Sequence, residues 1–261
     1  MTGPAISPAI PRVALVTGAA HRIGRAIALA LVQEGFAVAV HYNRSKAGAD
    51  ALVAEIGAMG GRAVALAADL ASEADTAVLI GRAATVLGPV GCLVNNASVF
   101  EMDMSDTATR ESWDRHLETN LRAPFVLAQA MARALPAGAE GAIVNLLDQR
   151  VWNLTPYFIS YTLSKAGLWT LTQTLALALA PRIRVNAIGP GPTLKSERQT
   201  EDQFRMQWSA TPLRHGATPD EIAAGVRFIL AARSMTGQMI ALDGGEHMGW
   251  AQPSRGISPQ E

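Results

Sequence analysis

Tyr161 and Lys165 stand four residues apart in the stretch YTLSK, and this spacing places both side chains on one face of a helix. An ammonium group beside a phenol favours the phenolate, so the pair predicts a tyrosine pKa lowered towards the working pH. Such a tyrosine can exchange a proton with a reacting group. We therefore predict that both residues are catalytic. A carboxylate, Asp148, lies thirteen residues before the tyrosine, where a neutral hydroxyl would be the easier neighbour.

The elements that position these residues follow a regular alternation. Short β-branched runs, the last at 237–245, alternate with Ala- and Leu-rich helical segments, among them 105–135, with Pro124 as a boundary, and 157–180. This alternation indicates a parallel sheet with helices on both faces. We predict a three-layer, doubly wound α/β fold with about seven strands. Ligands of such folds bind at the carboxyl ends of the strands.

The pattern also divides the chain. Residues 12–245 form the predicted single domain, preceded by a flexible leader at 1–11 and followed by a C-terminal tail at 246–261. The polar segment 194–212 contains several large apolar residues, which suits a mobile lid over a substrate. An ordinary surface helix fits the same segment equally well.

The first predicted strand runs directly into the loop TGAAHRIG. Gly18 allows a tight turn, and Gly24 lets the next helix pack closely while its N-terminal amides face a pyrophosphate. This position between a strand and an Ala-rich helix predicts dinucleotide binding. His21, Arg22 and Ile23 lie between the two glycines and are further cofactor-binding candidates.

The end of the second strand distinguishes NAD from NADP. An acid there would bind the ribose 2′-hydroxyl and repel a 2′-phosphate. The stretch HYNRSKAGAD has no acid before Asp50 and offers Asn43, Arg44 and Ser45 instead. A guanidinium suits a phosphate, and the serine adds a hydroxyl donor. NADP(H) is therefore the predicted cofactor, although a merely solvated turn would also explain the cations.

Two further strand ends carry candidate cofactor contacts. Asp69, followed by Leu70, can accept a hydrogen bond from an adenine amino group, but an aspartate at a helix start is nearly as good an explanation. The sequence NNAS after the fourth strand places the backbone of Asn96 and Ala97 beside the ribose.

The composition of the chain limits the classes of molecule that it is expected to bind. The 22 basic and 22 acidic residues give a formal net charge of zero without blocks of like charge, so nucleic acid and anionic membranes are poor partners. The single cysteine excludes an intrachain disulfide and fits a reducing compartment. No stretch is typical of a membrane span or a signal peptide. We expect a cytoplasmic protein that binds a small molecule. The five histidines have no metal-ligand spacing, so they are predicted to be surface or packing residues.

Over about residues 12–245 the chain resembles the short-chain dehydrogenase/reductase family. The resemblance is carried by TGAAHRIG, ADL, NNAS, ETNLRAP, YTLSK, RVNAIGPG and LDGG. It implies a single Rossmann-type domain, a nicotinamide cofactor, hydride transfer and usually a homotetramer. It also implies that Asn120 holds a water in a relay to Lys165, the alternative being a helix-kink residue that satisfies backbone groups.

The same resemblance extends to the end of the sixth strand. Pro190 and Gly191 match the point where the family backbone meets the nicotinamide carboxamide, and Thr193 is a further candidate for contact with the cofactor.

Three departures from the usual family pattern resemble its pteridine reductase and dihydromonapterin reductase branch. Arg22 replaces a loop glycine, Ser98 replaces the glycine of NNAG, and Asp148 replaces the usual catalytic serine. That branch also has a phenylalanine, matching Phe100, that stacks on the pterin ring. The resemblance implies that these four residues and Tyr161 bind the substrate.

The aspartate bears on the substrate class. Reduction of a carbonyl builds negative charge on oxygen, which a carboxylate repels, whereas a partly cationic imine attracts it. A desolvated aspartic acid could also hold a proton and pass it on. Asp148 therefore favours a C=N bond in a dihydropterin or dihydrofolate-like heterocycle. The alternative is that Asp148 points away and caps a turn or pairs with Arg150 or Arg22.

Two other functions stay open. The chain is a carbonyl or 3-oxoacyl thioester reductase of the same family if Asp148 does not face the substrate. A sensor protein that binds NADPH without turning over a substrate is the second alternative. The presence of all three residues Asn120, Tyr161 and Lys165 weighs against it.

Overall fold

The computed structural model describes residues 5–196 and 198–249, which build a seven-stranded parallel sheet. The strands are β1 (Val13–Val16), β2 (Ala37–Tyr42), β3 (Ala63–Ala67), β4 (Cys92–Asn95), β5 (Gly141–Leu146), β6 (Ile183–Pro190) and β7 (Met239–Leu242). They lie in the order β3-β2-β1-β4-β5-β6-β7, and every neighbouring pair is parallel. The direction of winding reverses between β1 and β4, so a crevice opens at their carboxyl ends. The predicted doubly wound α/β fold is confirmed.

Helices cover both faces of the sheet. In the described residues they are α1 (Arg22–Gln33), α2 (Lys46–Ala58), α3 (Glu73–Leu87), α4 (Arg110–Leu117), α5 (Ala123–Ala134), α6 (Ile159–Ala178), α7 (Glu201–Ser209) and α8 (Pro219–Ala231). One hydrophobic core lies under α1, α2 and α8, and another under α3, α5 and α6. Because both faces are covered, β1 and β5 are buried along their whole length. None of the helices described is long and apolar enough to cross a membrane.

The helical pattern predicted over 105–135 is divided in the structure. α4 begins only at Arg110, behind a capping box made by Thr109 and Ser112. A π-helical turn, Glu118–Arg122, separates α4 from α5. Pro124 is the second residue of α5, directly after this turn, so it lies at the boundary that the sequence predicts. The wider turn buries Asn120 between the helices and the loop after β4.

The start of α6 is held from outside the helix. Phe158, the residue before the first turn, has φ 59° and ψ 48° and makes no side-chain cap. Asp103, in the loop after β4, supplies the acceptors instead. Its carbonyl oxygen accepts the N–H of Phe158 at 2.8 Å, and its Oδ1 accepts the N–H of Ser160 at 3.1 Å. The helix that carries Tyr161 is therefore positioned by a distant loop.

The prediction of a flexible leader over 1–11 is wrong for residues 5–11. Ile6 and Ile10 are buried in the core under α1 and α8, and the carbonyl oxygen of Ala9 accepts the N–H of Glu140 at 3.0 Å. The apolar side chains of this proline-broken segment are buried although it forms neither helix nor strand. Residues 1–4 lie outside the described residues, as do residues 250–261 of the predicted tail.

Candidate active site

A cleft of about 790 Å³ opens at the carboxyl ends of β1, β2 and β4. Eleven predicted cofactor residues line it: Gly18, His21, Arg22, Ile23, Gly24, Asn43, Arg44, Ser45, Asp69, Asn96 and Ala97. Leu70 does not, because its side chain is buried in the core under α3. Pro190, Gly191 and Thr193 lie at and just after the end of β6, outside this lining.

The turn between β1 and α1 is shaped for a dinucleotide. Gly18 has φ 61°, a conformation that favours glycine. A Cβ at Gly24 would lie 2.3 Å from the carbonyl oxygen of Gly18 and 2.6 Å from Nδ2 of Asn96. His21, which precedes α1, makes no side-chain hydrogen bond to the first turn. The close approach and the uncapped amides fit a pyrophosphate at this helix start.

His41 holds the same turn from within the sheet. The backbone N–H of Gly18 donates to Nδ1 of His41 at 3.0 Å, so the ring proton is on Nε2, which lies 3.2 Å from the carbonyl oxygen of Ala68. Burial lowers the pKa of His41 to about 4, which keeps the ring neutral and Nδ1 free to accept. The sequence interpretation, a surface or packing histidine, missed this role. The signal was a polar residue inside the apolar run FAVAVHY.

The predicted catalytic residues meet at the ends of β5 and α6. The Tyr161 hydroxyl donates to Oδ2 of Asp148 at 2.8 Å, and Lys165 Nζ donates to the carbonyl oxygen of Leu146 at 2.7 Å. Both Tyr161 and Lys165 are buried. Asp148 therefore faces the tyrosine, as the substrate hypothesis requires.

The expected effect of Lys165 on Tyr161 is wrong. Burial and the neighbouring Asp148 carboxylate raise the pKa of Tyr161 well above its usual range, because a phenolate there would be desolvated and repelled. Burial lowers the pKa of Lys165 to about 8. Its Nζ is 5.8 Å from the centroid of the tyrosine ring and is engaged by a backbone oxygen. In this structure the phenol therefore keeps its proton and donates a hydrogen bond to the Asp148 carboxylate.

Arg150 completes the site. Its Nη1 lies 3.0 Å from the same Oδ2 of Asp148, and its backbone N–H donates to Oδ1 at 2.9 Å. Two parts of the alternative reading are therefore correct: Asp148 caps the short 3-10 helix Gln149–Val151 and pairs with Arg150, although it also faces the tyrosine. Arg22 bonds elsewhere. From sequence, Arg150 was named only in that alternative, because an arginine two residues from an aspartate has no fixed direction.

Aromatic rings surround this ion pair. The rings of Phe100 and Phe158 stack with centroids 4.5 Å apart, and Phe100 meets the Tyr161 ring edge-on at 4.6 Å. The guanidinium of Arg150 lies 5.4 Å from the Phe100 centroid and 5.3 Å from that of Phe158. Phe100 thus lies beside Tyr161 with Phe158 stacked against it, and its contact with a substrate ring stays a prediction.

The side chain of Asn120 is committed to the loop after β4. Its Oδ1 accepts the N–H of Val99 at 2.8 Å, and its Nδ2 donates to the Val99 carbonyl oxygen at 2.9 Å and to Ser164 Oγ at 3.0 Å. These bonds agree with the alternative of a kink residue that satisfies backbone groups. The water relay to Lys165 stays a prediction.

A sequence model of the family described as short chain dehydrogenase matches residues 12–205. The protein is a short-chain dehydrogenase. It is 48% identical to FolM alternative dihydrofolate reductase 1 from Brucella canis, whose crystal structure is complexed with NADP; the match covers 95% of this chain and 98% of that chain, with a TM-score of 0.90. It is 35% identical to the 3-oxoacyl-(acyl-carrier-protein) reductase FabG from Staphylococcus epidermidis, over 90% of this chain and 98% of that protein. A short chain dehydrogenase from Burkholderia cenocepacia, in complex with NADP, is 36% identical over 89% of this chain and 96% of that chain, with a TM-score of 0.83.

In this short-chain dehydrogenase the segment 194–212 lies against the site. The Arg22 guanidinium donates to the carbonyl oxygen of Lys195 at 2.8 Å and to that of Leu194 at 3.0 Å. The guanidinium of Arg198 donates to the carbonyl oxygen of Phe100. Ser98, another predicted substrate residue, lines the cleft and donates its hydroxyl to its neighbour's carbonyl oxygen.

Glu246 is a second carboxyl near the catalytic end of this dehydrogenase. It begins a short 3-10 helix, Glu246–Met248, that follows β7. Burial raises its pKa to about 7; the charge of Arg150 opposes the shift and that of Asp148 adds to it. Its side chain also hydrogen-bonds that of Gln207 in α7. The motif LDGG ends just before this residue and gave no signal of it.

Replacement of His41 by Asn should reveal how much the stability of the wild type depends on keeping this ring uncharged. The folded-state pKa lies below the usual value, so the unfolded state takes up the proton first, and stability is lost as the pH falls from about 6.5 towards 4. We expect the advantage of the wild type over His41→Asn in unfolding free energy to shrink by up to about 3 kcal/mol over this range. Urea unfolding at several pH values measures it. A difference that does not change with pH would contradict the assignment.

Removal of both partners of the Arg150–Asp148 pair should cost less than the sum of the two single removals. The two side chains are only 17% and 14% exposed, so Arg150→Met leaves a buried carboxylate without its cation and should lower the unfolding free energy by about 3 kcal/mol. The double variant with Asp148→Asn should recover at least about 1 kcal/mol of the summed losses. A denaturant double-mutant cycle tests this expectation. Additive losses would mean that the two charges are not coupled.

Proposed function

We propose that this protein is an NADPH-dependent reductase of a C=N bond in a dihydropterin or dihydrofolate-like heterocycle. The observation that carries the proposal is the Asp148 carboxylate, 2.8 Å from the Tyr161 hydroxyl in a site bordered by Phe100. A developing oxyanion would be repelled there, whereas a protonated imine would be attracted. The 48% identity to a dihydrofolate reductase of the FolM type supports the same substrate class.

Three side chains of this protein have separate roles in the proposed reduction. NADPH, when bound, supplies the hydride that adds to the imine carbon. The imine nitrogen gains its proton from solvent, because the phenolate that Tyr161 would leave beside Asp148 is disfavoured. The Tyr161 hydroxyl donates the hydrogen bond that holds the Asp148 carboxylate in place. The carboxylate stabilises the cationic nitrogen as the proton is transferred. Arg150 keeps this carboxylate paired in a site that is otherwise apolar on the Phe100 side.

A second feature of Arg150 suits a pterin. Its Nε is buried and has no hydrogen-bond partner among the described residues, although Nη1 bonds Asp148. A buried donor without an acceptor costs about 1–3 kcal/mol, so a ligand that supplies the acceptor gains from it. The pyrimidinone half of a pterin carries a ring carbonyl close to its ring nitrogens. A simple aliphatic ketone offers no such second acceptor.

The cleft residues support NADPH over NADH. Arg44 and Ser45 line the cleft after β2, where an acid would repel a 2′-phosphate. The first acid, Asp50, lies inside α2 and accepts from Lys46 at 2.5 Å. We propose that Arg44 binds the 2′-phosphate and that the other lining residues, with the backbone after β6, hold the remainder of the cofactor.

Replacement of Arg44 by Ala should weaken NADPH binding selectively. Loss of a charged hydrogen bond to a phosphate corresponds to a rise in Kd of roughly tenfold to a hundredfold. The matched control is Lys46→Ala, which removes a cation two residues away that is engaged with Asp50. NADPH and NADH titrations of both variants test this. Equal losses in both variants, or an equal loss of NADH affinity, would contradict a phosphate contact.

Replacement of Asp148 by Ser, or by the isosteric Asn, should abolish pterin reduction. We expect turnover of dihydrobiopterin, dihydromonapterin or dihydrofolate by the wild type, followed as NADPH oxidation, and a fall in kcat of roughly a hundredfold or more in both variants. Asn retains an oxygen for the Tyr161 hydroxyl but has no charge, so it separates the charge from the hydrogen bond.

The same assay distinguishes the alternatives. Reduction of acetoacetyl thioesters by the wild type, without pterin turnover, would overturn the proposal in favour of the FabG-like class, with which the chain shares 35% identity. NADPH binding without oxidation by any substrate of the panel would favour the sensor protein.

Three broader expectations remain proposals. Arg22 bonds the backbone at the start of the segment 194–212, and this contact supports a lid whose position depends on the cofactor end of the cleft. We propose a homotetramer, supported by the exposed Leu163 and Leu177 on α6. A cytoplasmic location accords with the single cysteine, which is free and buried.

A further inference from the structure

A buried polar cluster lies beside the catalytic helix and takes no part in the proposed chemistry. Its members come from three parts of the chain: Asp103 from the loop after β4, His116 from α4, and Ser160 from the first turn of α6. All three are buried, and His116 and Ser160 have no exposed surface. From the sequence, His116 is predicted only to be a surface or packing residue.

The hydrogen bonds of this cluster have a defined direction. The backbone N–H of Glu101 donates to Nε2 of His116 at 3.1 Å, so the ring proton must be on Nδ1. Nδ1 lies 2.7 Å from Ser160 Oγ and donates to it. The Ser160 hydroxyl in turn donates to Oδ2 of Asp103. A serine that donates to the carboxylate and is closed to solvent is not a nucleophile, so the cluster is not a hydrolytic triad.

The cluster joins the two backbone segments that carry the substrate-facing rings. Glu101 follows Phe100, and Ser160 stands between Phe158 and Tyr161. Asp103 also holds the left-handed backbone of Phe158 through the 2.8 Å bond to its N–H. Without this anchor the non-glycine residue would relax from a sparsely populated conformation.

We propose that the Asp103–Ser160–His116 network is a positioning device that fixes Phe100 relative to Tyr161 and so sets the fit of the substrate ring, while His116 is neutral. The inference rests on the proposed function, in which these two residues contact the heterocycle. None of the three network residues touches the reacting atoms. They act on substrate binding through the position of the Phe100 loop.

The network requires a neutral His116 ring, because only an unprotonated Nε2 can accept the N–H of Glu101. A proton on Nε2 would face the N–H of Glu101, and two donors cannot bond, so acidification releases the Phe100 loop. The charged or titratable groups around the ring are Glu101 and Asp103 from the loop, Arg115 from its own helix, and Tyr161 from α6. Burial, the largest effect, lowers the pKa of His116, so the ring is neutral at neutral pH.

Amide hydrogen exchange tests the network without any substrate. In His116→Leu the acceptor is gone, and protection of the Glu101 amide should fall at least about tenfold, the equivalent of one hydrogen bond. In His116→Gln the side-chain oxygen takes the place of Nε2, so protection should stay within about threefold of the wild type. Unchanged protection in the leucine variant would overturn the proposal.

Steady-state kinetics test the positioning role. His116→Leu and Ser160→Ala should raise KM for the dihydropterin about tenfold and change kcat less than about threefold, with rescue of KM in His116→Gln. The matched control is Thr76→Val, which removes another fully buried hydroxyl, in α3, bonded at 2.9 Å to the carbonyl oxygen of Ser72, the residue before that helix. It should lower stability without a change in KM.

The pH dependence gives a third readout. KM of the wild type should rise on acidification more steeply than KM of His116→Gln, whose side chain does not titrate. A lower melting temperature with an unaltered KM and pH profile in the His116 and Ser160 variants would reduce the cluster to a structural role. If the wild type turns over no pterin, the proposed function fails, and the exchange experiment still decides whether the network holds the loop.

Discussion

The Oδ2 atom of Asp148 is shared by a phenol and a guanidinium, and the rest of the site depends on this one buried charge. A carboxylate that is 14% exposed needs a cation and directed donors, or its desolvation would outweigh any gain. Arg150 meets the first need and Tyr161 the second. The guanidinium in turn lies against the faces of two phenylalanines, which accept a cation without competing for its hydrogen bonds. The proton therefore stays on the phenol, and the negative charge stays on the carboxylate.

Neutral histidines supply the fixed acceptors that hold the loops of this site. His41 accepts the N–H of Gly18, and His116 accepts that of Glu101, each at the carboxyl edge of the sheet. In both rings the other nitrogen lies near an acceptor, so the tautomer is set by the protein rather than by solvent. Burial keeps both rings uncharged by lowering their pKa values. A carboxylate could accept the same N–H groups, but it would bring a second charge into a site that already contains Asp148.

Much of this architecture was predictable from local patterns. The alternation of buried strands and helices predicts the sheet. Asp148 comes close to Tyr161 because it follows the carboxyl end of β5, while Tyr161 lies in the first turn of α6 at the same edge of the sheet. The tyrosine pKa was predicted in the wrong direction. The sequence spacing shows that Lys165 shares its helix face, but not that the ammonium turns to the Leu146 carbonyl oxygen. Contacts between remote segments, such as Asp103 with the start of α6, have no local pattern at all.

Two groups described above respond to acid in opposite directions. The lowered pKa of His41, about 4, means that the unfolded chain takes up that proton first, so acidification from neutral pH favours unfolding. The raised pKa of Glu246, about 7, means that the folded chain takes up its proton first, so acidification favours the native state. Over most of the same range the two proton uptakes offset each other. The placement of Glu246 beside the ion pair thus gives the fold a measure of acid tolerance, and mild acidification would alter the charge of the active site before it unfolds the protein.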